Sequence, residues 1–196
     1  MGKMIYLDNA ATTKTAPEVV QAMLPYFSEY YGNPSSIYDF AGKSKEAITK
    51  GREQIAEVLG AKKEEIYFTA GGSESDNWAL KATFEAYKAK GNHIITTKIE
   101  HHAILHTCEY LEKRGAKITY VDVDENGIVK LDELEKAITP ETILISVMFA
   151  NNEIVLSSRS RKSDVSQKSM ECFSTQMLFR HSVRFRSMWM NATLIC

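Results

Sequence analysis

The segment with the clearest chemical potential is Thr69-Ala70-Gly71-Gly72-Ser73-Glu74-Ser75-Asp76-Asn77. It follows a short apolar run and leads into a stretch with apolar residues at helical spacing, which predicts a strand-to-helix turn. Such a turn places small residues and unpaired N–H groups at the positive end of a helix, where a phosphate group binds favourably. It is not a Walker loop, because Gly-Lys-Ser/Thr is missing. The alternative is a tight turn in which Ser73 is the N-cap.

Two further polar clusters lie at the ends of predicted strands. Glu100-His101-His102 opens a helix, and Asn151-Asn152-Glu153 ends a strand. Ligands of parallel α/β sheets bind at the carboxyl edge of the strands, where all three clusters are expected. Each cluster alone is also explained as a cap or a turn. The adjacent histidines point in different directions, so no metal site is expected, and convergence on one crevice is the stronger functional indication.

Alternating apolar and amphipathic runs predict the elements that position these clusters. Strands are predicted at residues 66–69, 93–97, 117–121 and 142–147, and helices at residues 42–59, 74–90, 101–114 and 131–138. A further helix is expected to start at Thr15-Ala16-Pro17-Glu18, with Thr15 as N-cap and Glu18 completing a capping box. This alternation predicts an α/β fold with a mostly parallel sheet flanked by helices.

Composition narrows the class of protein. The 196 residues, with 44% hydrophobic and 25% charged side chains, are typical of a globular domain. No apolar run reaches the roughly 20 residues that cross a bilayer, and the N-terminus lacks a signal-peptide apolar region, so a cytoplasmic protein is expected. Cys108, Cys172 and Cys196 are too scattered for a disulfide framework or a metal site, and Cys108 lies on the inward stripe of a helix, which favours a structural role.

The polar motifs, taken together in their order and spacing, resemble a known family. Residues 4–154 resemble the pyridoxal-phosphate (PLP)-dependent cysteine desulfurases of the NifS/IscS type, in class V of the aminotransferases. This resemblance implies a PLP-dependent transferase of fold type I, with residues 1–154 forming the N-terminal part of its large domain. The motifs are Tyr6-Leu7-Asp8-Asn9-Ala10-Ala11-Thr12-Thr13, Tyr31-Gly32-Asn33-Pro34-Ser35-Ser36, Phe68 to Asn77, Glu100-His101 and Asn151-Asn152-Glu153-Ile154.

The resemblance also implies roles for individual residues. Gly72 and Ser73 would hold the cofactor phosphate, His101 would stack on the pyridine ring with an acid or base role open to it, and Asn152 would contact the ring hydroxyl. The substrate entrance would be lined by Asn9, Ala10, Ala11 and Thr12. Where the family usually has Ser-Gly-Ala-Thr, this chain has Ala70-Gly71-Gly72-Ser73, which keeps a backbone-and-hydroxyl phosphate site.

Members of this family remove sulfur from L-cysteine, giving alanine and an enzyme persulfide for iron–sulfur cluster assembly or other sulfur transfer. The resemblance therefore implies a homodimer that meets a sulfur-acceptor or scaffold protein, with no nucleic-acid or membrane partner. A selenocysteine lyase or an enzyme acting on sulfinates is an alternative of the same class.

The chain changes character after Ile154. All 10 Gly and all 4 Pro precede this point, whereas residues 155–196 contain 4 of the 8 Met and carry a net charge of +5. The family would continue with Gly-Thr-Val-Gln-Pro-Ile, an aspartate motif, the Ser-Gly-His-Lys segment with the Schiff-base lysine, and later the sulfur-carrying cysteine. None of these is present in residues 155–196.

The loss of one base would account for this change. Residues 155–164 can be written with codons for which reading the last base of each codon with the first two of the next, after a G is restored, gives GTVQPIKEIG. Residues 169–186 can be reread in the same way as HGVFFHTDAVQAFGQVP, which contains the aspartate motif. We therefore interpret residues 155–196 as a frameshift-derived, irregular tail and expect an inactive chain. The alternatives are an evolved basic tail for nucleic acid or membrane, and a non-catalytic dimerisation or binding module.

Overall fold

The computed structural model describes residues 5–9, 11–148, 150–151, 156–157 and 173–175. Its described helices are α1 (Pro17–Met23), α2 (Pro25–Ser28), α3 (Gly42–Leu59), α4 (Gly72–Tyr87), α5 (His102–Glu112) and α6 (Leu131–Ala137). Its described strands are β1 (His93–Thr97), β2 (Lys117–Val121), β3 (Thr142–Ser146), β4 (Ala150–Asn151), β5 (Leu156–Ser157) and β6 (Phe173–Thr175). A parallel sheet has the order β2-β1-β3-β6, and β4 pairs with β5 in an antiparallel ribbon.

The central strand β1 is buried along its whole length and separates two apolar layers. Successive side chains of a strand point to opposite faces of the sheet. Ile94 accordingly packs in one cluster with Leu80 of α4 and Ile104 of α5, whereas Ile95 packs in the other with Leu134 of α6. The sheet therefore lies between α4 and α5 on one face and α6 on the other, as expected for an α/β domain.

Several predicted elements are confirmed. The strands predicted at residues 93–97 and 117–121 have those bounds, and the strand predicted at 142–147 ends at Ser146. The helix predicted at 42–59 has those bounds and stops at Gly60, whose φ of 67° is in the left-handed region that favours glycine. The helices predicted at 74–90, 101–114 and 131–138 are present as α4, α5 and α6; α4 begins two residues earlier and ends three residues earlier than predicted, and α5 and α6 are shorter than predicted.

Three local predictions are wrong. Ala16, not Thr15, occupies the N-cap position of α1, because Pro17 favours the first helical position and begins the helix one residue later; alanine has no side-chain oxygen that could accept a cap bond. Ser73 is inside α4, whose N-cap residue is Gly71. Residues 66–69 are not a strand: the Ile66 carbonyl accepts a hydrogen bond from Arg52 Nε at 3.2 Å and not from a neighbouring strand.

The tail was expected to be irregular, and its described residues form two short strands. Residues 156–157 form β5, and residues 173–175 form β6 at the edge of the parallel sheet next to β3. The rest of the proposed tail lies outside the described residues. Within the part of the chain that is described, no helix is long and apolar enough to cross a membrane.

Candidate functional site

Side-chain hydrogen bonds fix the conformation of the turn that leads into α4. Glu74 Oε2 accepts the Ala70 N–H at 2.6 Å, and the Thr69 hydroxyl lies 2.7 Å from the Ser75 hydroxyl. The first N–H groups of a helix have no intrahelical partner. At α4 these belong to the turn containing Gly72 and Ser73, where the helix dipole adds partial positive charge. The turn is therefore suited to an anion such as a phosphate group.

His101 occupies the N-cap position of the neighbouring helix, α5. Its Nδ1 atom accepts the Ala103 N–H at 3.1 Å, so a neutral His101 ring carries its proton on Nε2. The residue is exposed. This hydrogen bond orients the imidazole and leaves an aromatic ring at the carboxyl end of β1.

The connection between β1 and α5 is tied to the residues that follow β3. Glu100 Oε1 accepts hydrogen bonds from the Met148 N–H at 2.7 Å and from Thr97 Oγ1 at 3.0 Å. Asn151, in β4, donates from Nδ2 to the Ile99 carbonyl at 3.1 Å. The second and third polar clusters of the sequence thus meet at one edge of the sheet.

The first polar cluster contributes a buried carboxyl group, that of Asp76. Asp76 in α4 is 1% exposed, and Glu100 is 5% exposed. Burial raises the pKa of Asp76 to about 7. Burial also raises the pKa of Glu100 to about 7, against the hydrogen bonds from Met148 and Thr97, and the Asp76 charge raises it further. The two acids are therefore close enough to act on each other beneath the anion site.

The predicted substrate residues lie in a different segment. Asn9, Ala11 and Thr12 are exposed in a turn where Thr12 Oγ1 is 2.6 Å from the Tyr6 hydroxyl. This Tyr6–Thr12 contact is local, between residues six positions apart in the chain. Ala10 and Asn152 lie outside the described residues.

Sequence reasoning missed the buried acids. Asp76 lies inside the Phe68 to Asn77 motif and Glu100 lies next to His101, and neither position by itself predicts a buried acid. A signal was present for Asp76, because it lies one helical turn before Leu80 and so on the inward face of α4. No comparable signal marked Glu100, whose role depends on the chain 48 residues later.

The residues present fit a phosphorylated aromatic ring. The α4 start supplies N–H groups and the exposed Ser73 hydroxyl to a phosphate, and His101 supplies an imidazole beside it. Among the described residues, no group of three or more His, Cys, Asp or Glu side chains is arranged to hold a metal ion. The fold and the site thus define an α/β domain with one helix start suited to an anion and an exposed imidazole at the start of the next helix.

The chain belongs to the class-V aminotransferase family, whose model matches residues 5–155. It is 60% identical over 154 residues to the cysteine desulfurase IscS of Clostridium botulinum strain Kyoto / Type A2, covering 79% of this chain and 39% of that protein. It is 58% identical over 152 residues to the cysteine desulfurase IscS of Methanosarcina thermophila, covering 78% and 38%. The chain thus spans about two-fifths of the length of these relatives.

Solved structures show the same fold. A NifS-like protein superposes with a TM-score of 0.87 at 38% identity, covering 90% of this chain and 49% of the other. SspA in complex with cysteine superposes with a TM-score of 0.84 at 35% identity, covering 87% and 49%. The NifS/IscS-like, PLP-dependent fold expected from the sequence is confirmed.

Proposed function

We propose that this chain derives from a PLP-dependent cysteine desulfurase acting on L-cysteine and retains the phosphate and ring contacts of its cofactor site. The observation that carries the proposal is the placement of the α4 start and the β1–α5 connection that bears His101 at one edge of the sheet, where the charge of Asp76 in α4 acts on Glu100. PLP, when bound, supplies an electron sink for reactions at an amino acid. SspA, a structural relative, was solved in complex with cysteine, which supports an amino-acid substrate.

The chain's own residues would divide the binding task. The N–H groups of Gly72 and Ser73 and the Ser73 hydroxyl hold a phosphate in the field of α4. His101 packs its ring on the aromatic ring of the ligand and keeps a proton on Nε2, where it can be donated. Asn152 contacts the ring hydroxyl, and the turn of Asn9, Ala10, Ala11 and Thr12 lines the entrance.

The chain as it stands is catalytically inactive in this proposal. Residues 155–196 contain neither the lysine segment nor the sulfur-carrying cysteine of the family. Cys108 does not replace that cysteine, because burial, Glu100 and two further glutamates raise the pKa of its thiol to about 12. Since the thiolate is the nucleophile, a thiol with such a pKa stays unreactive.

Cofactor binding can be tested without side reactions at lysines by using pyridoxamine 5′-phosphate, which has no aldehyde. We expect it to bind the purified chain more tightly than pyridoxamine, because only the former carries the phosphate. Ser73→Ala should weaken binding by about tenfold, the size of a lost hydrogen bond to a charged group, and His101→Ala by about fivefold, the size of an aromatic contact. His106→Ala, on the same helix, is the matched control. Equal affinity for the two ligands would exclude the phosphate site.

Two further measurements address activity and the tail. We expect no alanine release from L-cysteine above a blank, and release by the purified chain would rule out the inactive assignment. Resequencing the gene around codon 154 should show a frame downstream that encodes HGVFFHTDAVQAFGQVP. If no shifted frame downstream of codon 154 encodes that segment, residues 155–196 do not derive from a frameshift.

A further inference from the structure

A layer of buried oxygen atoms without hydrogen-bond partners lies behind the candidate site. Among the described residues, no partner is found for either carboxyl oxygen of Asp76, for Thr96 Oγ1 or for Glu100 Oε2. All three residues are at most 5% exposed. Buried polar groups without partners are costly, so their clustering calls for a physical explanation.

The alternation of side chains along β1 and the helical period of α4 place the oxygens of Thr96 and Asp76 on the same side of the sheet. Thr96 is two residues after Ile94 in β1 and so faces the same side of the sheet, toward α4 and α5. Asp76 precedes Leu80 by one turn on the face of α4 that packs against Ile94. The polar atoms therefore form the end of this apolar layer, at the carboxyl edge of β1.

Glu100 connects the layer to the site through its other oxygen. Oε1 receives the Met148 N–H and the Thr97 hydroxyl, which ties the residue before His101 to the chain after β3. The Asn151 side-chain amide donates to the carbonyl of Ile99, the residue before Glu100, and so also ties this connection to the chain after β3. His101 thus starts α5 from a backbone that is anchored on the buried side by contacts with Thr97, Met148 and Asn151.

We propose that Glu100 is a positioning residue for His101, and that a proton retained by one of the two buried acids, Glu100 or Asp76, keeps this anchor in place at the carboxyl edge of β1. This inference rests on the proposed cofactor role of His101. With the proton bound, at most one of the two carboxyl groups is charged, and Glu100 Oε1 still accepts from Met148 and Thr97. Without it, two negative charges would lie in a buried layer next to the helix start that attracts a phosphate.

The surroundings of the two acids are consistent with a retained proton. Asp76 faces the layer from α4, and the Cys108 thiol faces it from α5, where the Glu100 charge helps to raise the pKa of the thiol. From the β3 side the layer receives the Met148 N–H, and from β1 the hydroxyls of Thr96 and Thr97. Among the described residues, no Lys, Arg or His forms a recorded ion pair with either acid. Burial raises the pKa of each acid to about 7.

Variants of Glu100 separate a positioning role from a general structural one. Glu100→Ala should weaken the binding of pyridoxamine 5′-phosphate by up to about fivefold, the loss expected for His101→Ala, while the binding of inorganic phosphate changes by less than about twofold, since only the ring contact depends on His101. Glu100→Gln keeps an acceptor for Met148 and Thr97, so it should rescue this affinity. Glu109→Gln, an exposed change on α5, is the control. A parallel loss of both ligands in Glu100→Ala would overturn the positioning role.

The retained proton has its own readout. In the full-length chain, the affinity for pyridoxamine 5′-phosphate and the side-chain carboxyl NMR signals of Asp76 and Glu100 should change with pH near 7, and both Asp76→Asn and Glu100→Gln should flatten the affinity profile. Unchanged profiles in both variants would overturn the retained proton. If wild-type chain binds pyridoxamine 5′-phosphate no better than pyridoxamine, the proposed function fails. Normal wild-type discrimination with no effect of Glu100→Ala refutes only the positioning role.

Discussion

The imidazole of His93 is bonded to Thr142 across two paired strands, with Nδ1 2.7 Å from Thr142 Oγ1. On the other side of the ring, Nε2 is 2.8 Å from Thr119 Oγ1 of β2. One buried side chain therefore links β2, β1 and β3 at the edge opposite the candidate site. A neutral ring offers one donor and one acceptor, which the two hydroxyls match.

Protonation of His93 should destabilise the fold. Burial lowers the pKa of His93, and the nearby Lys117 lowers it further, against a smaller opposite effect of Glu141. The unfolded chain then binds a proton more readily than the folded one, so this contribution is complete above the unfolded pKa of about 6.5 and is lost as the pH falls below it. We expect a loss of up to about 1.4 kcal/mol per pH unit. Denaturant unfolding of His93→Gln should lack this slope, and exposed His106→Gln should retain it.

The buried acids should give the free energy of unfolding a pH dependence opposite in sign to that of His93. Asp76 and Glu100 have pKa values of about 7 in the folded chain, against ordinary values of 3.8 and 4.5. The folded chain thus retains protons that the unfolded chain releases, so the free energy of unfolding falls as the pH rises from about 4 to about 7. Asp76→Asn should reduce this fall and be more stable than wild type at pH 8 by at least about 1 kcal/mol. If Asp76→Asn were less stable than the wild type at every pH from about 4 to about 8, this predicted effect of the buried acids would be contradicted.

Cys108 should resist thiol reagents in the native chain. Its side chain is fully buried and belongs to the apolar layer between the sheet, α4 and α5. In a Cys172→Ser/Cys196→Ser background, we expect labelling at pH 8 only as fast as the chain unfolds, with full labelling in denaturant. Rapid labelling of folded protein would show that Cys108 is accessible and would weaken its structural assignment.

Gly91 should be intolerant of any side chain. A Cβ added there would lie 2.2 Å from the Glu141 carbonyl oxygen, a backbone atom that cannot move without displacing the start of β3. Gly91→Ala should therefore cost about 2 to 4 kcal/mol of stability, like other changes that force buried backbone apart. Gly42→Ala is the matched control, because nothing lies within 4 Å of its added Cβ, and alanine favours the helix by up to about 1 kcal/mol. Thermal denaturation of the two variants should shift in opposite directions.

The N-terminal segment should make the isolated chain prone to association. Ile5 is 78% exposed, Leu7 85%, Phe27 72% and Ile37 96%. Exposed apolar surface of this kind is typical of a region that another part of a protein covers. We expect enhanced fluorescence of a hydrophobic dye and broad, concentration-dependent unfolding. A sharp, cooperative and monomeric thermal transition would contradict this expectation.

The central elements were predictable because their signals are local. The β1 run, His93 to Thr97, is apolar or β-branched after its first residue, and the helices around it have apolar residues at helical spacing. The prediction failed at residues 66–69, where an equally apolar run is not paired with another strand. Pairing is a non-local property, and here the Arg52 side chain takes the Ile66 carbonyl instead.

The sequence by itself determined the family, the parallel order of elements and the glycine-containing turn that starts α4, since motifs and periodicity lie within short stretches of chain. Only the tertiary structure decided the state of the acids behind the site. Asp76 is buried because α4 packs against β1, and Glu100 is anchored because Met148 lies beside it. Their pKa values follow from removal of water by residues distant in sequence, a cause that local patterns do not record.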